Sequence, residues 1–136
     1  MLIRYGEKGK VKVFGDQEGG DLLVVGWGST KGAIEEAVQR VRDEGSKVSS
    51  MHLRFLQPMA SGIKEILQRF KKVMTVELSW CDTIEDDIID ADNRRYSSLA
   101  WLLRGRHLVD VDCWCEVKGQ PIKPGSIERV IRQKLK

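Results

Sequence analysis

With 136 residues, 41% apolar and 32% charged, the chain has the size and balance of one domain that builds its own core. Its three cysteines are an odd number that argues against a disulfide framework, and no apolar run approaches the roughly 20 residues of a membrane span. The net charge of +3 is mixed along the chain, and Met1 to Glu7 lack the apolar centre of a signal peptide. The expectation is a cytoplasmic protein that uses neither membrane nor nucleic acid.

Residues 1–20 are polar and glycine-containing. Alternation over Lys10 to Phe14 predicts a short half-buried strand, and Gly15-Asp16 and Gly19-Gly20 mark turns. This segment reads as a lead-in, or the tail of a linker from a preceding domain, which leaves 21–136 as the folded domain.

Asp21 then opens the aliphatic run Leu22-Leu23-Val24-Val25, which ends in Gly26-Trp27-Gly28-Ser29-Thr30. A continuous run of this kind suits a strand buried on both faces, as in a parallel sheet sandwiched by helices. Ser29 or Thr30 is expected to cap the helix that follows, whose stripe is Ala33, Ile34, Ala37, Val38 and Val41. Gly45 would end that helix as a left-handed residue. Val48 to Leu56 reads as the second strand, broken at Pro58. Ser61 precedes a helix with Ile63, Ile66, Leu67 and Phe70 inward, closed by Lys71 and Lys72, and Val73 to Leu78 is the third core strand.

Residues 79–92 are longer than an ordinary connection. They carry Asp82, Glu85, Asp86, Asp87, Asp90 and Asp92, interrupted by Ile84, Ile88 and Ile89, which want burial. The glycine and terminal glutamate of a calcium loop are missing, so the excursion is expected to fold over the domain or dock on a partner and to hold no metal. Asn93 would cap a helix with Tyr96, Leu99, Ala100 and Leu103 inward, ended by Gly105. His107 to Val111 reads as a fourth strand, and His107 as a surface residue. Pro121 and Pro124 bracket a turn before a last helix that starts at Ser126, with Ile127, Val130, Ile131 and Leu135 inward. Its Arg129, Arg132, Lys134 and Lys136 suit a helix carboxyl end. Strand and helix alternate with short connections, which predicts a parallel sheet with helices on both faces.

The turn from Gly26 to Thr30 lies at a strand's carboxyl end and a helix N-terminus, where free N–H groups can hold an anion. It is no dinucleotide fingerprint, because Lys31 stands where the third glycine belongs, and no P-loop, because no Gly-Lys-Ser/Thr follows. Turn geometry alone also accounts for the small residues. His52 and Arg54 share a face of the second strand. Arg54 either binds an acidic group of a ligand or neighbour or pairs internally with Glu77, and the internal pair is the expectation. Cys113 and Cys115 share a face but have one residue between them, not the two of a zinc or redox pair, and read as small core hydrophobes. No nucleophile–base arrangement is visible.

The stretch DLLVVGWGSTKGAIEEAVQRVRDEG followed by VSSMHLRFLQPM resembles the C-terminal, transketolase-C-like domain of the alpha subunit of 2-oxoacid:ferredoxin oxidoreductases. The matching residues are Gly28-Ser29-Thr30, Gly32-Ala33-Ile34 and Leu53-Arg54-Phe55-Leu56-Gln57-Pro58. Leu102-Leu103-Arg104, Leu108-Val109-Asp110-Val111 and Val117-Lys118-Gly119-Gln120-Pro121 follow in order. The resemblance implies a three-layer α/β/α domain with a mostly parallel sheet and one antiparallel edge strand. It also implies an assembled enzyme that oxidatively decarboxylates a 2-oxoacid to an acyl-CoA and reduces ferredoxin, using thiamine diphosphate, iron–sulfur clusters and coenzyme A. The chain has neither the Gly-Asp-Gly…Asn thiamine motif nor iron–sulfur ligand spacing. The expected role is therefore non-catalytic assembly, against other alpha-subunit domains, the beta subunit or a second copy, with ferredoxin met through the complex. Trp80, Trp101 and Trp114 are the expected interface residues. The alternative is a free-standing flavodoxin-like module that binds an anionic small molecule or nucleotide at the Gly26–Thr30 turn. A third reading is an interaction module that uses the acidic excursion.

Overall fold

The computed structural model describes residues 11–54, 62–82, 87–116 and 121–136. Five strands form one sheet: β1 (Val13–Phe14), β2 (Gly20–Trp27), β3 (Val48–Leu53), β4 (Phe70–Glu77) and β5 (Asp112–Cys115), in the order β1-β3-β2-β4-β5. β1 is the antiparallel edge and the other pairings are parallel. The α-helices among the described residues are α1 (Lys31–Arg42), α2 (Ile63–Gln68), α3 (Ser98–His107) and α4 (Pro124–Leu135). This is the expected three-layer α/β/α architecture.

Alternation along the central strands explains the two cores. Leu22 and Val24 of β2 face one side with Val48, Met74 and Val76, covered by Ile34, Ala37, Val38 and Val41 of α1 and Ile127, Val130 and Ile131 of α4. Leu23 and Val25 face the other side with Met51, Leu53 and Val73, covered by α2 and α3. Both sets are buried, so β2 reads as a continuous apolar run.

Several boundaries differ from expectation. Neither Ser29 nor Thr30 caps α1: a 3-10 turn over Gly28–Thr30 precedes the helix, and the Thr30 hydroxyl instead donates back to the Trp27 carbonyl at 3.1 Å. α1 ends at Arg42, before Gly45, which adopts φ +96° and donates its N–H to the Arg42 carbonyl. α2 is only six residues long and enters through Gly62 at φ +84°. Phe70, Lys71 and Lys72 belong to β4, because their extended backbone pairs with Gly20 and Leu22 of β2. The α3 cap is Ser97, whose side chain accepts the Ala100 N–H, and not Asn93. Asn93 closes a local loop with Asp90 and the Ile88 carbonyl.

α3 runs through Gly105 to His107 and stops at Leu108, left-handed at φ 54°. The fourth parallel strand is consequently Asp112–Cys115, not His107–Val111, and His107 is a half-buried helix residue. α4 starts at Pro124, whose missing N–H costs nothing in a first turn, two residues before Ser126. Pro58, Ser61, Ile84, Glu85, Asp86 and the span 117–120 lie outside the described residues, as do residues 1–10 of the lead-in.

Candidate functional site

The carboxyl ends of β2 and β4 adjoin at the centre of the sheet, where the connection from β2 leads to β3 on one side and β4 lies on the other. Open α/β sheets offer their ligand and contact surface at such a point. β2 ends in Trp27, which is 42% exposed, and β4 is followed by Leu78 and Trp80, 44% and 57% exposed. Trp101, 56% exposed, stands in the first turns of α3. Trp114 was expected among the exposed tryptophans, but it is half-buried against the α1/α4 core, because it alternates with Cys113 and Cys115 on β5. Ile88 was expected to seek burial and is instead 76% exposed on the Asp90–Asn93 loop.

Beneath this surface lies a carboxylate that is 1% exposed, Glu77. Its Oε1 accepts the Trp27 indole N–H and the Leu99 backbone N–H, both at 3.2 Å, and its Oε2 accepts the Thr75 hydroxyl at 3.2 Å. The Thr75 and Ser97 hydroxyls lie 3.2 Å apart. Thr75 has one proton and gives it to Glu77, so Ser97 donates to Thr75 while accepting from Ala100. The chain of donors ends on the carboxylate and joins β2, β4 and the start of α3. A buried polar group this well satisfied fixes geometry, and it also orients the exposed Trp27 ring.

Sequence reasoning missed this network. The available signal was Thr75 and Glu77, two apart in an otherwise apolar strand and so on one face. That face is also why the expected Arg54–Glu77 pair does not form. Thr75 lies beside Val25, on the α2/α3 side, and Glu77 continues that set. His52, and with it Arg54, belongs to the α1 side, and β2 separates β3 from β4. Arg54 is exposed just beyond β3. His52 faces Lys31 and Glu35 of α1. Burial first, then Lys31, holds its imidazole below the ordinary histidine value.

At the candidate turn, a Cβ on Gly26 would come within 2.3 Å of the Ile34 side chain and 2.8 Å of the Thr30 hydroxyl, so this glycine permits close packing of α1 on β2. Gly28 has open space around it and is required by its φ of +71°. Ser29 is exposed and Thr30 is buried. Two of the described acidic residues of the excursion serve the loop itself: Asp82 pairs with Arg95, which holds its carboxyl below the usual range, and Asp90 accepts from the Asp92 and Asn93 N–H groups. Arg95 also lies 4.0 Å over the Trp80 ring. No group of three His, Cys, Asp or Glu among the described residues is placed to hold a metal ion.

Residues 20–102 match the family described as pyruvate:ferredoxin oxidoreductase core domain II. The chain is 39% identical over 115 residues to 2-oxoglutarate oxidoreductase subunit KorA of Mycobacterium tuberculosis, covering 85% of this chain and 15% of that protein. It is 38% identical over 74 residues to 2-oxoacid:ferredoxin oxidoreductase 1, subunit alpha, of Aeropyrum pernix, covering 52% of this chain and 11% of that one. It therefore spans only about a seventh or less of these curated relatives. Among solved structures it resembles 2-oxoglutarate:ferredoxin oxidoreductase from Magnetococcus marinus, with 2-oxoglutarate, coenzyme A and succinyl-CoA bound. The TM-score is 0.71 and the identity 22%, over 93% of this chain and 20% of that one, a likeness of fold.

Proposed function

Because the chain belongs to the pyruvate:ferredoxin oxidoreductase core domain II family, we propose that it serves as a non-catalytic assembly domain of a 2-oxoacid:ferredoxin oxidoreductase alpha subunit. The observation that carries this reading is the set of four large apolar side chains, Trp27, Leu78, Trp80 and Trp101, exposed around the carboxyl end of the sheet and the start of α3. Tryptophan anchors of this kind are favoured where two protein surfaces meet. The partners would be the remaining alpha-subunit domains, the beta subunit or a second copy of the chain, and ferredoxin would be met through the complex.

The oxidative decarboxylation of a 2-oxoacid to an acyl-CoA, with its thiamine diphosphate, iron–sulfur clusters and coenzyme A, belongs on this reading to the assembled enzyme. The donor set agrees for the clusters: three cysteines cannot supply the four thiolates of an iron–sulfur cluster. What this chain's own residues contribute is a rigid platform. Glu77 fixes Trp27 and the α3 start, and Arg95 braces Trp80.

The test is Trp101→Ala combined with Trp80→Ala in the whole oxidoreductase, followed by native mass spectrometry of the complex. Loss of intact assembly, with the isolated double mutant still folded by circular dichroism, supports the reading. An unchanged complex would sink it.

A further inference from the structure

At the opposite end of the sheet from Trp27 and Leu78, a cavity of about 300 Å³ opens beside the first residues of β4 and β5. Lys72 lines it from β4, Asp112 from β5, Lys134 from the last turn of α4, and Arg94 and Tyr96 from the stretch before α3. Lys71 and Asp110 line it too, but their charges are engaged elsewhere: Lys71 pairs with Asp21 at 3.2 Å and Asp110 with Arg104 at 2.6 Å.

Three cations, Lys72, Arg94 and Lys134, thus meet one carboxylate, Asp112, around this space. Asp112 is shared: its Oδ1 lies 2.5 Å from Arg94 Nη2, and its Oδ2 meets the Lys134 ammonium. The Lys72 ammonium donates to the Lys134 carbonyl at 2.7 Å, which satisfies a proton but not a charge. The Arg94 side chain is 7% exposed. Its Nε donates to the Asp82 carbonyl at 3.2 Å and its Nη2 to the Cys113 carbonyl at 3.1 Å, which fixes the guanidinium and leaves Nη1 for another acceptor. The Tyr96 ring brings no relief, because the Arg94 and Arg104 guanidiniums already lie 4.9 and 4.3 Å over it. Burial first, then Arg94 and Lys72, holds the Lys134 ammonium below the ordinary lysine value despite its carboxylate partner. Sheltered charges are normally paired, and here two positive charges are left over.

We propose that this cavity binds a phosphate group as its dianion, with Arg94 as the fixed fork and Lys134 and Lys72 closing on it. A phosphate group carries about −1.5 to −2 charges at neutral pH, which matches the excess, whereas a carboxylate carries only one. Its oxygens can accept from Arg94 Nη1 and from both ammoniums at once. The guanidinium is already held in place, so little side-chain freedom is lost on binding. The volume lies at the lower end of small-molecule pockets and leaves room for a small organic group beside the phosphate. The site shares no residue with the surface at the carboxyl ends of the strands and does not depend on assembly there.

The experiment titrates the isotope-labelled 136-residue chain with sodium phosphate, phenyl phosphate and sodium acetate at neutral pH and constant ionic strength, followed by NMR. Both phosphates should give saturable shifts at Arg94, Tyr96, Asp112 and Lys134, and acetate should give none. Tighter binding of phenyl phosphate would mark an organic phosphomonoester as the ligand, and binding of free phosphate at least as tight would mark inorganic phosphate; both support the site. Arg94 bonds to β5 and its variants can unfold, so the lysines carry the test. Lys134→Gln and Lys72→Gln should each weaken binding about tenfold, the loss of one charge-assisted hydrogen bond, with the remaining spectrum unchanged. Lys31→Gln, beside the Gly26–Thr30 turn, should bind as the parent chain does. Shifts that do not saturate, shifts centred on Gly28 to Lys31, equal shifts with acetate, or full affinity in either lysine variant of the cavity would overturn the proposal.

Discussion

The two faces of the sheet are built on different physics. On the α1/α4 side the buried residues are aliphatic almost throughout, and polar contacts lie at the rim, where Arg132 meets Glu44 and Glu128, and Arg40 meets Glu128. On the α2/α3 side Thr75, Glu77, Ser97 and Cys113 are buried among the apolar residues and bonded to one another or to the backbone. The first face is held by volume and area removed from water. The second also depends on directional bonds whose loss strands a partner. The exposed Trp27, bonded to Glu77, and Trp101 of α3 belong to the second face, at its carboxyl end. Specific chemistry and contact geometry need fixed polar groups, and an aliphatic layer offers none.

The largest expected effect tests the aliphatic face. Ile131→Ala removes a fully buried side chain between α4 and the sheet and should cost about 4 kcal/mol in urea denaturation. A loss below about 1 kcal/mol would mean that this layer is not close-packed. Next, Glu77→Ala strands three donors and should cost about 3 kcal/mol. Glu77→Gln should cost only about 1 kcal/mol, because its amide can donate to Thr75 and the Thr75–Ser97 pair can reverse. Equal losses for the two variants would show that shape, not hydrogen bonding, governs this face. Smaller again, Ser97→Ala deletes the α3 cap and should cost about 1–2 kcal/mol.

The smallest effect is a pH slope. His52 and His107 are both held below the ordinary histidine value, burial first and then Lys31 and Arg106 respectively. The unfolded chain then binds more protons than the folded one. Stability should be full above about pH 6.5 and fall as pH drops through that value towards the folded ones. His52→Gln should flatten part of that slope in pH-dependent melting curves. A slope unchanged in the variant would remove His52 from the account.

The candidate site was legible only in pieces. The Gly26–Thr30 turn was visible as a turn, yet its residues mostly serve packing: Gly26 admits Ile34, Gly28 supplies a left-handed residue, and the Thr30 hydroxyl bonds to Trp27. Trp80 and Trp101 were placed correctly on the surface. Trp27 was hidden inside the turn motif, and Trp114 was misread because the fourth strand was set too early. The two boundary errors around α3 share a cause. Gly105 looks like a helix stop and Asn93 like a cap, but the hydrogen bond from Ser97 and the left-handed Leu108 decide the ends. Local propensity is weaker than a fixed bond or a packed face.

The sequence by itself determined the layer order, the parallel sheet and the residues of both helix stripes on the aliphatic face. It did so because burial on two faces writes an unbroken aliphatic run, and burial on one face writes a helical period. Only the tertiary structure decided that Glu77 turns away from Arg54 to hold Trp27 and α3. Only the tertiary structure brought Ser97 to Thr75 across 22 positions of chain. Those contacts depend on which strand lies beside which and on which face a residue occupies after the crossovers, and no local pattern of residues records either.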